Sequence, residues 1–261
     1  MFYKTSVLVR YNPFMKKIIR RVKKAFGWND PTIGINASLV RKYAPGKSFA
    51  DIGALWGVNG LNSFIAEESG AKKVVAVDVY PASPKFLEEK MKRNSRIEFV
   101  QGDINLASTV AKIGTIDVVL CSGVLYHTPD PIHLLTRLRA ITGDTLILNT
   151  ASIPDVPGMK NVGVFYPFLE ENQRKIWNIG SGMQKAITGP YEPEEGYGNW
   201  FWGMTPSLIE SMLNCAGFEV KERFISSILT VYVCKVTEVK LAAVSGEWNV
   251  PVGVEFSKFK R

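Results

Sequence analysis

The chain has 261 residues, of which 46% are hydrophobic and 21% are charged, and its formal net charge is +8. This length can bury one large core, and three cysteines without a C-x-x-C pair exclude a disulfide framework. Because the N-terminus lacks a secretory signal and no segment approaches the roughly 20 apolar residues of a membrane-spanning helix, we expect a cytoplasmic protein.

All of the excess positive charge lies before Asp30. Eight lysines and arginines precede this first acid, and removing them from the total of 32 leaves 24 cations against 24 acids. Asn12-Pro13 can start a helix through about Phe26, with apolar side chains on one face and cations on the other. Such a helix can make a peripheral contact with an anionic membrane, bind nucleic-acid phosphates, or pack on its own domain, and we favour the last. Residues 1–30 are therefore interpreted as a basic amphipathic segment.

A helix is predicted at Thr32–Tyr43, and the strands that follow it each end beside a carboxylate. Asp51 ends the first apolar strand, Asp78 ends the second, and Asp103 follows the third. These acids are 27 and 25 residues apart, a spacing typical of successive strand–helix units. Such units build a parallel sheet that binds ligands at the carboxyl ends of its strands, so the three acids are expected to share one site.

The turn after the first strand has the form Asp-x-Gly-x-x-x-Gly, from Asp51 to Gly57. Glycine lets the backbone approach a ligand closely, and a carboxylate that ends the second strand is the usual partner of ribose hydroxyls. The acid before the first glycine would repel a phosphate and attract an ammonium group. The turn also lacks the G-x-G-x-x-G spacing of pyrophosphate sites, which argues against a nicotinamide-dependent oxidoreductase. The ligand is predicted to be a nucleoside.

These motifs resemble those of the class I S-adenosylmethionine-dependent methyltransferases over most of the chain. The resemblance implies S-adenosylmethionine as cofactor and S-adenosylhomocysteine as product, with Asp51 and the glycine turn beside the methionyl end. It also implies that Asp78 binds the ribose and that Asp103 and Ile104 frame the adenine. The chain departs from the family pattern at Leu55, where many members have glycine, and this side chain is expected to narrow the cofactor loop. The cofactor-binding residues implied in this way are Asp51, Gly53, Ala54, Gly57, Asn59, Asp78, Val79, Asp103, Ile104, Ser122 and Gly123.

The fourth strand, Ile116 to Cys121, runs into a motif that is expected to line the cleft between cofactor and acceptor. Its Gly123-Val-Leu-Tyr-His127 sequence, together with Asn199-Trp-Phe-Trp-Gly-Met-Thr-Pro-Ser207, is similar to the branch that contains the tRNA wobble-uridine carboxymethyltransferases.

Two residues of this motif are candidates for catalysis. His127 titrates near neutrality and could act as a general base, or it could hold the loop by a backbone hydrogen bond. Tyr126 could position the acceptor or pack. The other histidine, His133, falls on the following helix and is interpreted as a surface or packing residue. Two isolated histidines give no ligand cluster, so no metal site is expected.

The remaining elements complete an α/β fold. They are a fifth strand at Thr145 to Asn149, a helix at Pro206 to Cys215, and an antiparallel pair at Glu219 to Phe224 and Leu229 to Val236. We therefore predict a Rossmann-like, seven-stranded, mostly parallel sheet with flanking helices, an antiparallel final strand and a lid insertion. The methyltransferase domain is assigned to residues 31–240, and residues 241–261 form a C-terminal extension.

The insertion at residues 151–204 carries nine aromatic residues and is expected to overhang the cleft as a lid and acceptor pocket. The alternative is a satellite core that only shields the sheet. Its aromatic faces and polar side chains would suit a sugar ring or a flat natural product. The predicted substrate-binding residues are Trp200, Trp202, Asn149 and Tyr197.

The sequence therefore predicts an S-adenosylmethionine-dependent methyltransferase that acts on an oxygen or nitrogen nucleophile of a small molecule. One alternative is a tRNA-modifying (carboxy)methyltransferase, although the neutral body of the chain is unlike a domain that embraces tRNA. An alternative from another class is a non-catalytic, cofactor-binding or membrane-associated scaffold. The oligomeric state is not indicated by the sequence.

Overall fold

The computed structural model describes residues 32–166, 170, 172, 199–225 and 229–237. The predicted basic segment at residues 1–30 and the predicted extension at residues 241–261 lie outside the described residues, as does most of the aromatic insertion.

Seven strands of the described chain form one sheet in the order β3-β2-β1-β4-β5-β9-β8. The first five strands in this order pair in parallel, and β9 runs antiparallel to both β5 and β8. The predicted fold class is confirmed, including the antiparallel last strand. The strands are β1 Ser48–Ile52, β2 Lys73–Asp78, β3 Glu98–Gln101, β4 Ile116–Ser122, β5 Thr142–Ala151, β8 Phe218–Ile225 and β9 Leu229–Val236.

The helices cover both faces of this sheet. Buried strand residues alternate between the faces, so that Val118 and Leu120 join one core while Val119 and Cys121 join the other. The first core includes side chains of α1, α2 and α3, and the second includes side chains of α4, α5 and α6. The helices are α1 Thr32–Tyr43, α2 Leu61–Glu68, α3 Pro84–Lys92, α4 Ala107–Ile113, α5 Pro131–Ile141 and α6 Pro206–Cys215.

Three of these helices begin in the same way, with a proline that follows a side-chain cap. Ser83, Asp130 and Thr205 each accept a hydrogen bond from a backbone N–H in the first turn of α3, α5 and α6. The cap at Asp130 fixes the start of α5 directly after the motif that contains His127. None of the described helices is long and apolar enough to span a membrane.

The described ends of the insertion are joined by a two-stranded antiparallel ribbon. Its strands are β6, Gly163–Phe165, and β7, Trp202–Met204. The backbone N–H of Tyr166 also donates to the carbonyl of Phe201 at 2.9 Å, which extends the pairing by one residue. The ribbon holds residues 199–204 against the body of the domain, although the prediction of a lid falls mainly on residues outside the described part.

Gly60 shows how tightly the first turn is packed before α2. Its φ angle of +78° is a left-handed conformation, and a Cβ atom there would overlap the ring of Phe86. Phe86 is fully buried between Phe64 and Phe99, with ring centroids 5.5 and 5.6 Å away, and cannot move aside freely. Only glycine fits this position.

Gly60→Ala is therefore expected to lower the free energy of unfolding by about 2 to 5 kcal/mol, through backbone strain and overpacking together. Urea unfolding measures this change. Gly70→Ala is the matched control, because Gly70 has φ +88° with no atom within 4 Å of its would-be Cβ. It should cost only the backbone strain, about 1 to 2 kcal/mol. Equal losses in both variants would show that the Phe86 contact is unimportant.

Candidate functional site

A cavity of about 310 Å³ lies at the carboxyl edge of the parallel strands. Residues that end or follow five adjacent strands contribute to its lining, which places it where the strand order reverses between β1 and β4. These residues are Asp103 after β3, Asp78 of β2, Gly53 after β1, Ser122 of β4 and Asn149 of β5.

The glycine turn brings the end of β1 close to the end of β4. Gly53 has φ +80°, and a Cβ atom there would lie 2.7 Å from Val124 Cγ2 and 2.9 Å from the carbonyl of Ser122. Its backbone N–H donates to the carbonyl of Val77 at 3.0 Å. Leu55 was expected to narrow the cofactor loop. Its side chain is instead buried in the core and does not line the cavity.

Asp78 ties the first turn to the end of β2. One carboxylate oxygen accepts from the backbone N–H of Leu55 at 2.8 Å, and the other accepts from the backbone N–H of Tyr80 at 3.0 Å. The side chain is buried and lines the cavity. Since each carboxylate oxygen can accept more than one hydrogen bond, Asp78 can still receive the hydroxyls of a ligand.

Asp103 stands beyond Asp78 on the β3 side of the cavity. Its Oδ1 atom accepts from the backbone N–H of Asn105 at 2.9 Å and from the side-chain amide of the same residue at 3.0 Å. The apolar side chains of Val79 and Ile104 line the cavity beside it. This end therefore combines two carboxylates with an apolar floor, an arrangement suited to a nucleoside.

Asp51 lies behind the cavity wall and does not line it. It is 1% exposed, and its Oδ2 atom accepts from the Ser63 hydroxyl at 2.8 Å. Its Oδ1 atom has no hydrogen-bond partner among the described residues. Burial raises the pKa of Asp51 to about 7, against the hydrogen bond from Ser63, which favours the ionised form.

Seven of the eleven predicted cofactor-binding residues line the cavity, and four do not. Asn59 has φ +47° and accepts from the Ser83 hydroxyl at 2.8 Å, so it holds the turn against the start of α3. The predicted residues that line the cavity are Gly53, Asp78, Val79, Asp103, Ile104, Ser122 and Gly123. Those that do not line it are Asp51, Ala54, Gly57 and Asn59.

The opposite end of the cavity has an aromatic wall. Tyr126 and His127 lie on a 3-10 turn after β4, and their ring centroids are 4.1 Å apart. The ring of Trp200 lies 4.3 Å from that of Tyr126, and all three residues line the cavity. Tyr166, whose pKa burial raises to about 12, packs edge-on against Trp200 with centroids 6.3 Å apart.

Backbone hydrogen bonds fasten the insertion to this turn. The N–H of Phe201 donates to the carbonyl of Tyr126 at 3.0 Å, and the Nδ1–H of His127 donates to the carbonyl of Asn199 at 2.9 Å. Because a carbonyl only accepts, the proton of neutral His127 is on Nδ1 and the lone pair is on Nε2. Burial lowers the pKa of His127, although the hydrogen bond to Asn199 opposes this, so the imidazole is neutral near pH 7.

The predicted substrate-binding residues are placed differently from one another. Trp200 and Asn149 are buried and line the cavity, and the indole N–H of Trp200 has no partner among the described residues. Trp202 does not line it, because its N–H donates to the carbonyl of Pro129 at 2.9 Å and its ring packs on Phe165. Tyr197 lies outside the described residues.

Several residues of the cavity were not identified from the sequence. Asn36 of α1 and Asn62 of α2 are 3% and 4% exposed, and the carboxamide oxygen of each lacks a partner among the described residues. Asn105 Oδ1 is buried and unpartnered in the same sense. Trp56 and Tyr80 line the mouth, with centroids 6.0 Å apart. The available signal was a polar residue at a core-facing position of a helix, as at Asn36 between Ile35 and Ala37.

The unpartnered polar atoms indicate what the cavity binds. A buried polar group without a partner costs about 1 to 3 kcal/mol, so a ligand that supplies partners gains affinity from each of them. The cavity is thus suited to a small ligand that has polar groups at both ends. In the part of the chain that the structure describes, no group of three His, Cys, Asp or Glu residues could hold a metal ion.

A family model described as FtsJ-like methyltransferase matches residues 36–178. No curated protein matches the chain. Among solved structures, 1,6-didemethyltoxoflavin-N1-methyltransferase of Burkholderia thailandensis, with bound 1,6-didemethyltoxoflavin and S-adenosylhomocysteine, is 15% identical at a TM-score of 0.55, and the alignment covers 86% of this chain and 88% of that one.

Two further solved structures are similar. The N-terminal domain of EvdMO1, in the presence of S-adenosylhomocysteine and D-fucose, is 17% identical at a TM-score of 0.53, covering 85% of this chain and 96% of that one. Magnesium protoporphyrin IX methyltransferase of Synechocystis PCC 6803, with bound S-adenosylmethionine, is 15% identical at a TM-score of 0.50, covering 87% and 85%. At these identities the likenesses show a common fold.

The buried carboxyl of Asp51 makes stability depend on pH. Its pKa of about 7 lies above the ordinary value of 3.8, so the folded protein holds this proton more tightly than the unfolded chain does. The resulting stabilisation is complete below the ordinary value and is lost as pH rises through about 7. From about pH 5 to pH 7, Asp51→Asn should therefore gain about 2 kcal/mol in free energy of unfolding relative to the wild type, measured by urea unfolding.

Asp117→Asn is the control for this measurement. Hydrogen bonds from the backbone N–H and the hydroxyl of Ser48 lower the pKa of Asp117, so its contribution is lost only as pH falls below the ordinary range. The difference in free energy of unfolding between Asp117→Asn and the wild type should stay constant from about pH 5 to pH 7. If Asp51→Asn also kept a constant difference, Asp51 would not titrate there.

Proposed function

The chain belongs to the FtsJ-like methyltransferase family and is an S-adenosylmethionine-dependent methyltransferase, and from this premise we propose that it methylates an oxygen or nitrogen atom of a small molecule. The acceptors that we propose are saccharides or flat, natural-product-like metabolites. The main support is the aromatic wall of Tyr126, His127 and Trp200 at the end of the cavity opposite Asp103. A cavity of about 310 Å³ suits small ligands.

The polar atoms of the cavity fit the cofactor. Asp78 and Asp103 are proposed to hold the adenosine end, where carboxylate oxygens can accept from ribose hydroxyls and an amino group. Unpartnered atoms of Asn36, Asn62 and Asn105 can then pair with the remaining polar groups of the same molecule. S-adenosylmethionine supplies an electrophilic methyl group on a sulfonium sulfur.

His127 is proposed as the general base. Its Nε2 atom would take the proton from the acceptor hydroxyl or amine as the O–H or N–H bond breaks and the new bond to carbon forms, while the electron pair of the broken S–C bond stays on sulfur. The hydrogen bond from Nδ1 to the Asn199 carbonyl fixes the tautomer that this step needs. Tyr126 and Trp200 would hold the acceptor ring so that its nucleophile faces the methyl carbon.

Proteins that share this fold act on varied small molecules, which supports a small acceptor here. The neighbours named above include methyltransferases for 1,6-didemethyltoxoflavin and for magnesium protoporphyrin IX. We favour a small acceptor over tRNA because the charges after residue 29 balance. The similarity to the wobble-uridine branch stays a prediction, as does any contact of residues 1–30 with RNA or an anionic membrane.

Calorimetric titration with S-adenosylhomocysteine tests the cofactor site. The wild type should bind it, and Asp78→Ala should bind at least about tenfold more weakly, because hydrogen bonds to a charged group contribute about 1.5 to 3 kcal/mol. Asp117→Asn, which removes a carboxylate outside the cavity, should bind like the wild type. Absence of binding by folded protein, or unchanged affinity in Asp78→Ala, would count against the assignment.

Transfer of a radiolabelled methyl group to a panel of saccharides and flat hydroxylated rings tests the acceptor class and excludes a catalytically silent scaffold. With an acceptor from this panel, His127→Asn should lower kcat by about 10²- to 10⁴-fold. The asparagine amide can still donate to the Asn199 carbonyl, so affinity for S-adenosylhomocysteine should not change.

The pH profile distinguishes a base from a structural histidine. The wild-type rate should fall at acidic pH as His127 becomes protonated, with a pKa below the ordinary 6.5, and the variant should lack this fall. A variant that kept the wild-type rate and profile would assign His127 a structural role.

A further inference from the structure

An aromatic pair at the mouth of the cavity is exposed although its backbone is held in place. Trp56 follows β1 and is 70% exposed, Tyr80 follows β2 and is 44% exposed, and their ring centroids are 6.0 Å apart. Both residues line the cavity. The carboxylate of Asp78 accepts from the backbone N–H of Leu55, which precedes Trp56, and from that of Tyr80 itself. Paired aromatic rings that stay exposed beside polar groups mark an interaction surface.

The chain enters the domain beside this mouth. The first described helix, α1, begins at Thr32, and the side-chain amide of Asn36 donates to the Ser122 hydroxyl at the end of β4 at 3.2 Å. Asn36 lines the same cavity as the aromatic pair. Since the start of α1 is only about 6 Å along the helix axis from Asn36, residues 1–31 join the domain close to the cavity.

The residues before α1 have the length and the apolar face to cover the pair. A helix from Pro13 to Phe26, as the sequence predicts, would span about 20 Å, and the five residues between Phe26 and Thr32 can extend over about 17 Å. The mouth is therefore within reach. The apolar face of this predicted helix carries Phe14, Met15, Ile18, Ile19, Val22 and Phe26.

Charge favours this segment over other occupants of the mouth. Among the described residues that line the cavity, the carboxylates are those of Asp78 and Asp103, and no lysine or arginine is present. Eight cations and no acid precede Asp30. Acids at the mouth attract such a segment, whereas they would repel an anionic lipid surface or the phosphates of a nucleic acid. Lysine and arginine side chains also bind the faces of tryptophan and tyrosine rings.

We propose that residues 1–30 pack across the mouth of the cavity of their own chain, with the apolar face of the Pro13–Phe26 helix on Trp56 and Tyr80. The segment then forms the outer wall of the site, and it keeps water from a ligand bound beneath it. A ligand can leave only when this contact opens. This inference goes beyond the proposed function, because it assigns a role to the basic segment whichever acceptor is methylated.

Photo-crosslinking of the full chain tests the contact directly. With the photoreactive amino acid benzoylphenylalanine in place of Trp56, irradiation should link position 56 to a residue between 13 and 26 of the same chain. The link should form with and without saturating S-adenosylhomocysteine, and mass spectrometry of the digested monomer identifies it. The matched control places benzoylphenylalanine at Lys72, which is exposed before β2 at the opposite edge of the sheet and should give no such link.

Three results would overturn the proposal. They are the absence of a link from position 56 to residues 13–26, a link that forms only between two copies of the chain, and equal linkage from positions 56 and 72. Because the link does not require the ligand, it can still be read if the folded wild type fails to bind S-adenosylhomocysteine. That failure would overturn the cofactor site alone.

Ligand exchange gives a second reading. Trp56→Ala and the double variant Ile18→Asn, Ile19→Asn should each release S-adenosylhomocysteine at least about fivefold faster than the wild type in stopped-flow experiments, because each removes one side of the same contact. Their combination should be no faster than the faster of the two. Effects that multiplied would show that the two sites act independently, which would contradict the contact.

Vesicles of phosphatidylcholine and phosphatidylglycerol test the competing occupant. At physiological salt the folded wild type should stay in the supernatant when these vesicles are sedimented, since its apolar face is already covered. Sedimentation with the vesicles that Trp56→Ala weakened would assign the aromatic pair to a lipid surface and overturn the proposal.

Discussion

The site depends on the reversal of strand order between β1 and β4. The chain leaves β1 for α2 on one face of the sheet and leaves β4 for α5 on the other, so no helix covers the gap between the two strand ends. The gap is narrow because Gly53 has no side chain to hold Val124 and the Ser122 carbonyl apart. The other residues of the site line the cavity that this gap opens.

Many residues of the site are held in place by backbone hydrogen bonds. Asp78 accepts from two backbone N–H groups, and Asp103 accepts from the backbone and side chain of Asn105, so both carboxylates are positioned before any ligand arrives. At the other end, residues 199–201 are fixed by bonds to His127 and Tyr126. Prior positioning of this kind lowers the entropy that binding must overcome.

The sequence was sufficient for the fold and for the part of the site that is local in the chain. Regular strand–helix units, a glycine turn and acids at strand ends are periodic or contiguous patterns, and the sheet order agrees with them. Asn36 could not be found in this way, because α1 reaches the cavity only through its packing on α2 and its bond to Ser122. The burial of Asp51 also depends on tertiary structure, since the same carboxylate at a strand end would be exposed under a different turn.

Trp200 and Trp202 show a second reason why part of the site could not be predicted from the sequence. Residues two apart share a face only within a strand, and β7 begins at Trp202. Before it, the N–H of Phe201 bonds to Tyr126 while its carbonyl accepts from Tyr166, and this irregular backbone sends the two indoles to different places. Sequence spacing alone therefore predicted that both tryptophans line the acceptor pocket, whereas only Trp200 lines the cavity.

The distribution of charge along the cavity is consistent with the chemistry of methyl transfer. Asp78 and Asp103 lie at the end where the nucleoside is proposed to bind, while the rings of Tyr126, His127 and Trp200 form the end where the acceptor is proposed to bind. When a neutral nucleophile attacks a sulfonium, the positive charge spreads over three centres in the transition state. A carboxylate beside the sulfur would favour the localised charge of the ground state more than the spread charge of the transition state, and would raise the barrier. Asp51 does not line the cavity, and the proton released by the acceptor is proposed to go to His127, whose pKa is lowered by burial.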